Sequence, residues 1–143
     1  MGTSGEVVTP ARRSSRRRND GPILFYDGEC KVCRLTARLV LAADTAKRLR
    51  TATLDSPQAD RYLGDLSRKE RYGAFHLYRD ERVLSGGDAV GPLLELLAPL
   101  RGAGRFLGRS DRARDVTGRL YRAIARRRAM IGRFLPRVGP PPR

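Results

Sequence analysis

Cysteine and histidine are scarce: the 143-residue chain has Cys30, Cys33 and His76, and no other residue of either type. A closed structural zinc site takes four ligands of this kind, so one within a single chain is not expected; a site shared between two chains stays open. Tryptophan is absent and aromatics make up only 6%, which leaves little to stack on nucleobases. No apolar run reaches the roughly 18 residues needed for a membrane span. Arg12-Arg13 and Arg16-Arg17-Arg18 sit where a twin-arginine signal would, but Asn19-Asp20-Gly21-Pro22 follows instead of an apolar region. The expected compartment is the cytoplasm, where a cysteine pair is catalytic or metal-binding rather than a structural staple.

Acidic residues are also unevenly distributed. The net charge is +15. Residues 1–20 contribute +3, residues 21–104 only +2, and residues 105–143 contribute +10, with twelve arginines against two acids. Such segregation suggests a globular domain with a basic appendage. We therefore expect a disordered basic tail over 1–20, a folded domain over 21–104, an Arg-rich amphipathic helical extension over 105–136, and a disordered tail over 137–143.

Within the folded region, Ile23 to Tyr26 reads as a buried strand and Asp27-Gly28 as a turn. From about Cys30 to Ala43, Val32, Leu35, Leu39 and Val40 recur at helical spacing. Leu49 to Leu54 reads as a second strand, and Gln58 to Arg71 as a short helix followed by a loop. Ala74–Tyr78 and Val83-Leu84 form a hairpin around Arg79-Asp80-Glu81-Arg82. A helix over Ala89–Leu100 follows, N-capped by Asp88, with Pro92 in its first turn and Pro99 and Gly102 ending it. This order predicts an α/β fold, a small mixed sheet with helices on its faces.

The chemistry is concentrated in Cys30-Lys31-Val32-Cys33, at the start of the first helix. On the first helical turn, residues i and i+3 are close enough for a disulfide. A helix N-terminus favours thiolate over thiol, and Lys31 should add to this, while Glu29 and Asp27 act the other way. Cys30 is then the outward, attacking thiol and Cys33 the inward, resolving one. Asp27 ends an apolar strand three residues before Cys30. It either shuttles a proton to or from Cys33 or simply bonds turn amides. His76, in an alternating strand, reads as a core-edge or surface histidine rather than a catalytic base. No cofactor and no metal site is expected.

The segment Tyr26-Asp27-Gly28-Glu29-Cys30-Lys31-Val32-Cys33 resembles the signature of the DCC family of thiol-disulfide oxidoreductases, named for its Asp-x-x-Cys-x-x-Cys pattern. Ser85-Gly86-Gly87-Asp88-Ala89 is similar to that family's second block, and Leu120-Tyr121-Arg122-Ala123-Ile124-Ala125-Arg126-Arg127-Arg128 to its third. The resemblance implies a thioredoxin-like fold and protein-disulfide reductase or related activity. In it Cys30 is the nucleophile, Cys33 the resolving thiol, and Asp27 part of the signature. One departure is plain. Thioredoxin-like enzymes usually carry a cis-proline just before the third strand, whereas here Arg71-Tyr72-Gly73-Ala74 precedes Phe75, so that substrate-binding loop must differ.

Beyond Arg105, Val116, Leu120, Ile124, Ile131 and Phe134 cluster on one side of a helix and Arg119, Arg122, Arg126 and Arg133 on another, with Gly118 and Gly132 weakening it. The leading expectation is that the apolar stripe packs on the domain and the arginines face solvent. Binding of an anionic membrane surface or an acidic partner is the next reading. Nucleic acid is the least supported, since no recognition motif is visible. The functional expectation is thus dithiol–disulfide exchange with a protein or small-molecule thiol or disulfide. The competing one is a non-catalytic basic binding module contacting anionic membrane or nucleic acid through the C-terminal helix.

Overall fold

The computed structural model describes residues 21–137 and 139–141. The expected tail over 1–20 lies outside the described residues.

The strands are β1 (Ile23–Tyr26), β2 (Arg50–Thr53), β3 (His76–Arg79) and β4 (Arg82–Ser85). The helices are α1 (Lys31–Ala43), α2 (Pro57–Leu63), α3 (Arg68–Gly73), α4 (Gly87–Leu96), α5 (Arg101–Arg109) and α6 (Asp111–Phe134), with a 3-10 turn at Ala98–Leu100. The four strands form one sheet in the order β2-β1-β3-β4. β1 runs parallel to β2, with Ile23 opposite Arg50, and antiparallel to β3, with Phe25 opposite His76.

The all-apolar sequence of β1 is explained by its place in the sheet. It has a neighbour on each side and a layer on each face, and all four residues are buried. Side chains alternate across a strand, so Leu24 and Tyr26 join Ala37 and Leu41 of α1, Ala89 and Leu93 of α4, and Leu77. Ile23 and Phe25 join Ala59, Tyr62 and Leu63 of α2, with Leu54 and Tyr78. The result is a mixed sheet between helices, the thioredoxin-like α/β architecture.

The hairpin falls where the sequence puts it. Asp80 and Glu81 both take positive φ, 51° and 63°, the handedness a two-residue connection between twisted strands requires.

Several expectations are corrected. The buried residues of α1 are Ala37 and Leu41, with Cys33 and Val40 packed beside them. Leu39, assigned to the apolar face, is 62% exposed. The stretch from Gln58 to Arg71 holds two helices rather than one, because Ser67 and Glu70 form a reciprocal capping box that starts α3. α4 begins at Gly87, not Ala89, so Asp88 lies inside its first turn; the N-cap is Gly86 at φ 57°, a conformation natural to glycine. Pro92 consequently sits deeper in the helix than its first turn. Pro99 and Gly102 do not end helical structure, since α5 runs through Gly102 and across the expected 104/105 boundary.

The largest correction concerns α6. Val116, Leu120, Ile124, Ile131 and Phe134 are all exposed. The face turned inward carries Thr117, Gly118, Tyr121, Ala125, Arg128 and Gly132 instead. The reason is the closeness of approach. A Cβ on Gly87, at the start of α4, would lie 2.8 Å from the Gly118 Cα. A bulky aliphatic row cannot enter that crossing, so a small-residue row does.

Candidate active site

Strand β1 delivers Asp27 to the turn, and the turn delivers Cys30 to the N-cap of α1. The turn is closed by the Cys30 N–H donating to the Asp27 carbonyl at 3.2 Å and by the Glu29 N–H donating to Asp27 Oδ1 at 3.0 Å. The turn-bonding role considered for Asp27 is therefore present in the structure. Cys30 has extended backbone angles, φ −86° and ψ 118°, as an N-cap does. Its sulfur stands where a capping oxygen usually stands, and the Cys33 N–H donates to Cys30 Sγ at 3.3 Å. A negative charge on that sulfur would face the unpaired amides of a helix N-terminus.

Both cysteines are free thiols and both are half-buried, but their surroundings differ. Cys30 opens onto a groove of about 380 Å³ whose walls include Asp27, Lys31, Arg128, Gly132 and Arg133. Cys33, one turn on, packs against the core cluster beneath the helix. Burial first, then the hydrogen bond and charge of Cys30, push the Cys33 thiol up from 9.0 to about 12. Arg128 acts against that rise.

Arg128 is the site residue that reading the sequence missed as such. It reaches in from α6, 95 residues away in the chain, and donates from Nη1 to Cys33 Sγ at 3.9 Å. Its Nη2 donates to the Tyr72 carbonyl at 2.8 Å and lies 4.0 Å from Asp27 Oδ2. One guanidinium thus touches the inner thiol, the signature carboxylate and the loop before β3. The planar fork of donors makes arginine suited to such a three-way contact.

The same helix organises the loop that lacks proline. The Phe75 N–H donates to the Tyr121 hydroxyl at 3.1 Å, and the two rings meet edge-on with centroids 5.4 Å apart. Burial raises the Tyr121 hydroxyl above its ordinary value, which keeps it a neutral phenol. Tyr72–Phe75 is therefore held at its start by Arg128 and at its end by Tyr121. Gly86 supports this: a Cβ there would come within 3.1 Å of the Tyr121 ring.

His76 is away from the thiol groove. It is 1% exposed, with Nε2 2.9 Å from the Arg71 carbonyl and Nδ1 2.6 Å from Ser85 Oγ. A carbonyl can only accept, so Nε2 carries the proton and the Ser85 hydroxyl donates to Nδ1. Burial lowers its pKa, so it is a neutral, buried core-edge residue. Among the described residues, no helix is long and apolar enough to cross a membrane.

A dithiol at the N-terminus of the first helix of a mixed, helix-flanked sheet defines a protein of the thioredoxin-like redox class. A family model described as DCC1-like thiol-disulfide oxidoreductase matches residues 24–134, most of the chain, and the chain belongs to that family. The matched span includes both Arg128 and Tyr121 as well as the cysteines. No curated protein and no solved structure matches the chain.

Proposed function

We propose that the chain catalyses dithiol–disulfide exchange, with Cys30 as nucleophile and Cys33 as resolving thiol. The observation that carries this reading is the Cys33 N–H aimed at Cys30 Sγ, on a sulfur that opens to the groove while its neighbour is packed inward. The Cys30 thiolate attacks one sulfur of a substrate disulfide and displaces the other as a thiolate, which takes a proton from solvent. Cys33 then loses its proton and attacks Cys30 Sγ. The S–S bond to the substrate breaks, its second thiolate leaves, and a Cys30–Cys33 disulfide forms. Two electrons have passed from the pair to the substrate.

The inward thiol is a poor attacker while protonated, and its raised pKa holds it so at neutral pH. Part of that rise comes from the hydrogen bond and charge of Cys30, which are lost once Cys30 is in the mixed disulfide, and Arg128 lowers the pKa throughout. Its guanidinium favours the Cys33 thiolate as it forms, and Asp27, whose Oδ2 lies 4.0 Å from Arg128 Nη2, is the proposed acceptor of the proton. Arg128 is in this scheme a positioning residue, since it acts through Cys33.

The test is a pair of variants assayed on a protein disulfide. Cys30→Ser should abolish reduction. Cys33→Ser should still attack but should accumulate a mixed disulfide visible on a non-reducing gel. Reductase activity of Cys30→Ser equal to that of the unmodified chain would remove the assignment.

A further inference from the structure

Residues on α6 fall into three strips when placed 100° apart. One strip, from Thr117 through Tyr121 and Arg128 to Gly132, packs on the domain. The second is aliphatic: Val116, Leu120, Ile124, Ile131 and Phe134, all exposed, with Phe134 at 85% and Leu120 at 59%. It runs about 27 Å along the helix at 1.5 Å per residue. The third strip is basic, with Arg119, Arg122, Arg126 and Arg133 exposed along the flank, and Arg127 within the apolar row. After Asp115 no acidic residue occurs in the rest of the chain.

An exposed apolar row of this length, interrupted only by Arg127, marks an interaction site, and the adjoining charge selects its occupant. A second copy of this chain would bring Arg127 and two basic flanks face to face. Residues 1–20 carry a net +3, the wrong sign to lie along an arginine strip. Phosphates of nucleic acid would satisfy the arginines but leave the aliphatic row in water. An anionic lipid surface satisfies both strips, because acyl chains take the apolar row and headgroups take the guanidinium groups.

We infer that α6 is a docking helix that lies in the plane of an anionic membrane surface, inserting Val116, Leu120, Ile124, Ile131 and Phe134 below the headgroups. The inner strip stays engaged with Tyr72–Phe75 and the thiols, so docking leaves the site assembled. This binding does not depend on the thiol chemistry, and the Cys30→Ser/Cys33→Ser double variant is expected to bind as well as the unmodified chain.

The experiment is co-sedimentation of the full chain with vesicles of phosphatidylcholine alone, and of phosphatidylcholine with about 30% phosphatidylglycerol. The chain should pellet with the anionic vesicles and stay in solution with the neutral ones. Leu120→Ser/Ile124→Ser should weaken the partition about tenfold or more, and Arg119→Gln/Arg126→Gln should reduce the preference for anionic lipid. Both pairs are exposed, so circular dichroism should show the fold retained. Failure to pellet with either vesicle overturns the inference, as does binding that Leu120→Ser/Ile124→Ser leaves unchanged. A lipid-free dimer that this variant dissociates, without vesicle binding, would assign the face to a second copy. Capture by an acidic amphipathic peptide, again without vesicle binding, would assign it to a protein partner.

Discussion

Helices α1 and α6 both wall the thiol groove, yet they bury themselves by opposite means. α1 turns Cys33, Ala37, Val40 and Leu41 onto the sheet, as the hydrophobic effect dictates for a helix over an apolar strand. α6 turns small and polar residues inward and leaves its aliphatic row outside. Its docking rests on close approach at Gly118 and on two directed contacts, Tyr121 to Phe75 and Arg128 to Tyr72. Amphipathicity shows where a helix is apolar, not which face its partner will accept. Where the partner is an open sheet, the apolar face wins. Where the partner is a helix start crowded by Gly86-Gly87, steric fit and hydrogen bonds decide.

This contrast is most easily broken by truncating one leucine on each helix. Leu41→Ala, at a site 4% exposed, should cost about 2–5 kcal/mol. Leu120→Ala should change stability by no more than about 0.5 kcal/mol. Urea unfolding of both variants measures the pair, and a similar large loss from each would mean that α6 buries its aliphatic row after all.

A smaller effect is expected at Arg128, where the contrast meets the chemistry. Arg128→Met should lower the rate of disulfide reduction about tenfold, the size of one lost charge-assisted contact of about 1.4 kcal/mol. The loss should fall on the resolving step, so mixed disulfide should build up. The pH at which Cys33 becomes reactive should move higher, because the guanidinium lowers that pKa. Arg128→Lys should recover part of the rate. An unchanged pH profile with reduced stability would reassign Arg128 to structure alone.

Much of the β1–α1 unit was legible in the residues, because its determinants are local. Four apolar residues, Asp27-Gly28, and a helix opening on Cys30 place the strand, turn and thiols with no knowledge of the rest. The place of the hairpin was legible for the same reason, although Arg79 and Arg82, read as turn, pair as strand ends. The site's far wall was not, because Arg128 and Tyr121 meet the cysteines and Phe75 across long sequence separations. One signal did exist. Gly118, Ala125 and Gly132 recur every seven residues, with Tyr121 and Arg128 also seven apart. That is a small-residue strip carrying two long polar groups, and it marks the packed face better than hydrophobicity did. The missing proline pointed to the same place. Without it the loop before β3 needed another anchor, and α6 provides two.

The two thiols differ in kind, and their reactivity against pH separates them. Cys33 has its pKa raised to about 12, so at any pH below that its thiolate is scarcer than for an ordinary thiol. The folded state holds that proton more tightly than the unfolded chain does. This contribution to stability is full below the ordinary 9.0 and is lost as pH rises through about 12. Iodoacetamide labelling of the reduced chain, read by peptide mass, should modify Cys30 first at neutral pH, with Cys33 labelling only as pH climbs well past 9.0. Equal labelling of both cysteines at neutral pH, or labelling of Cys33 first, would mean that Cys33 is not the protected, inward thiol.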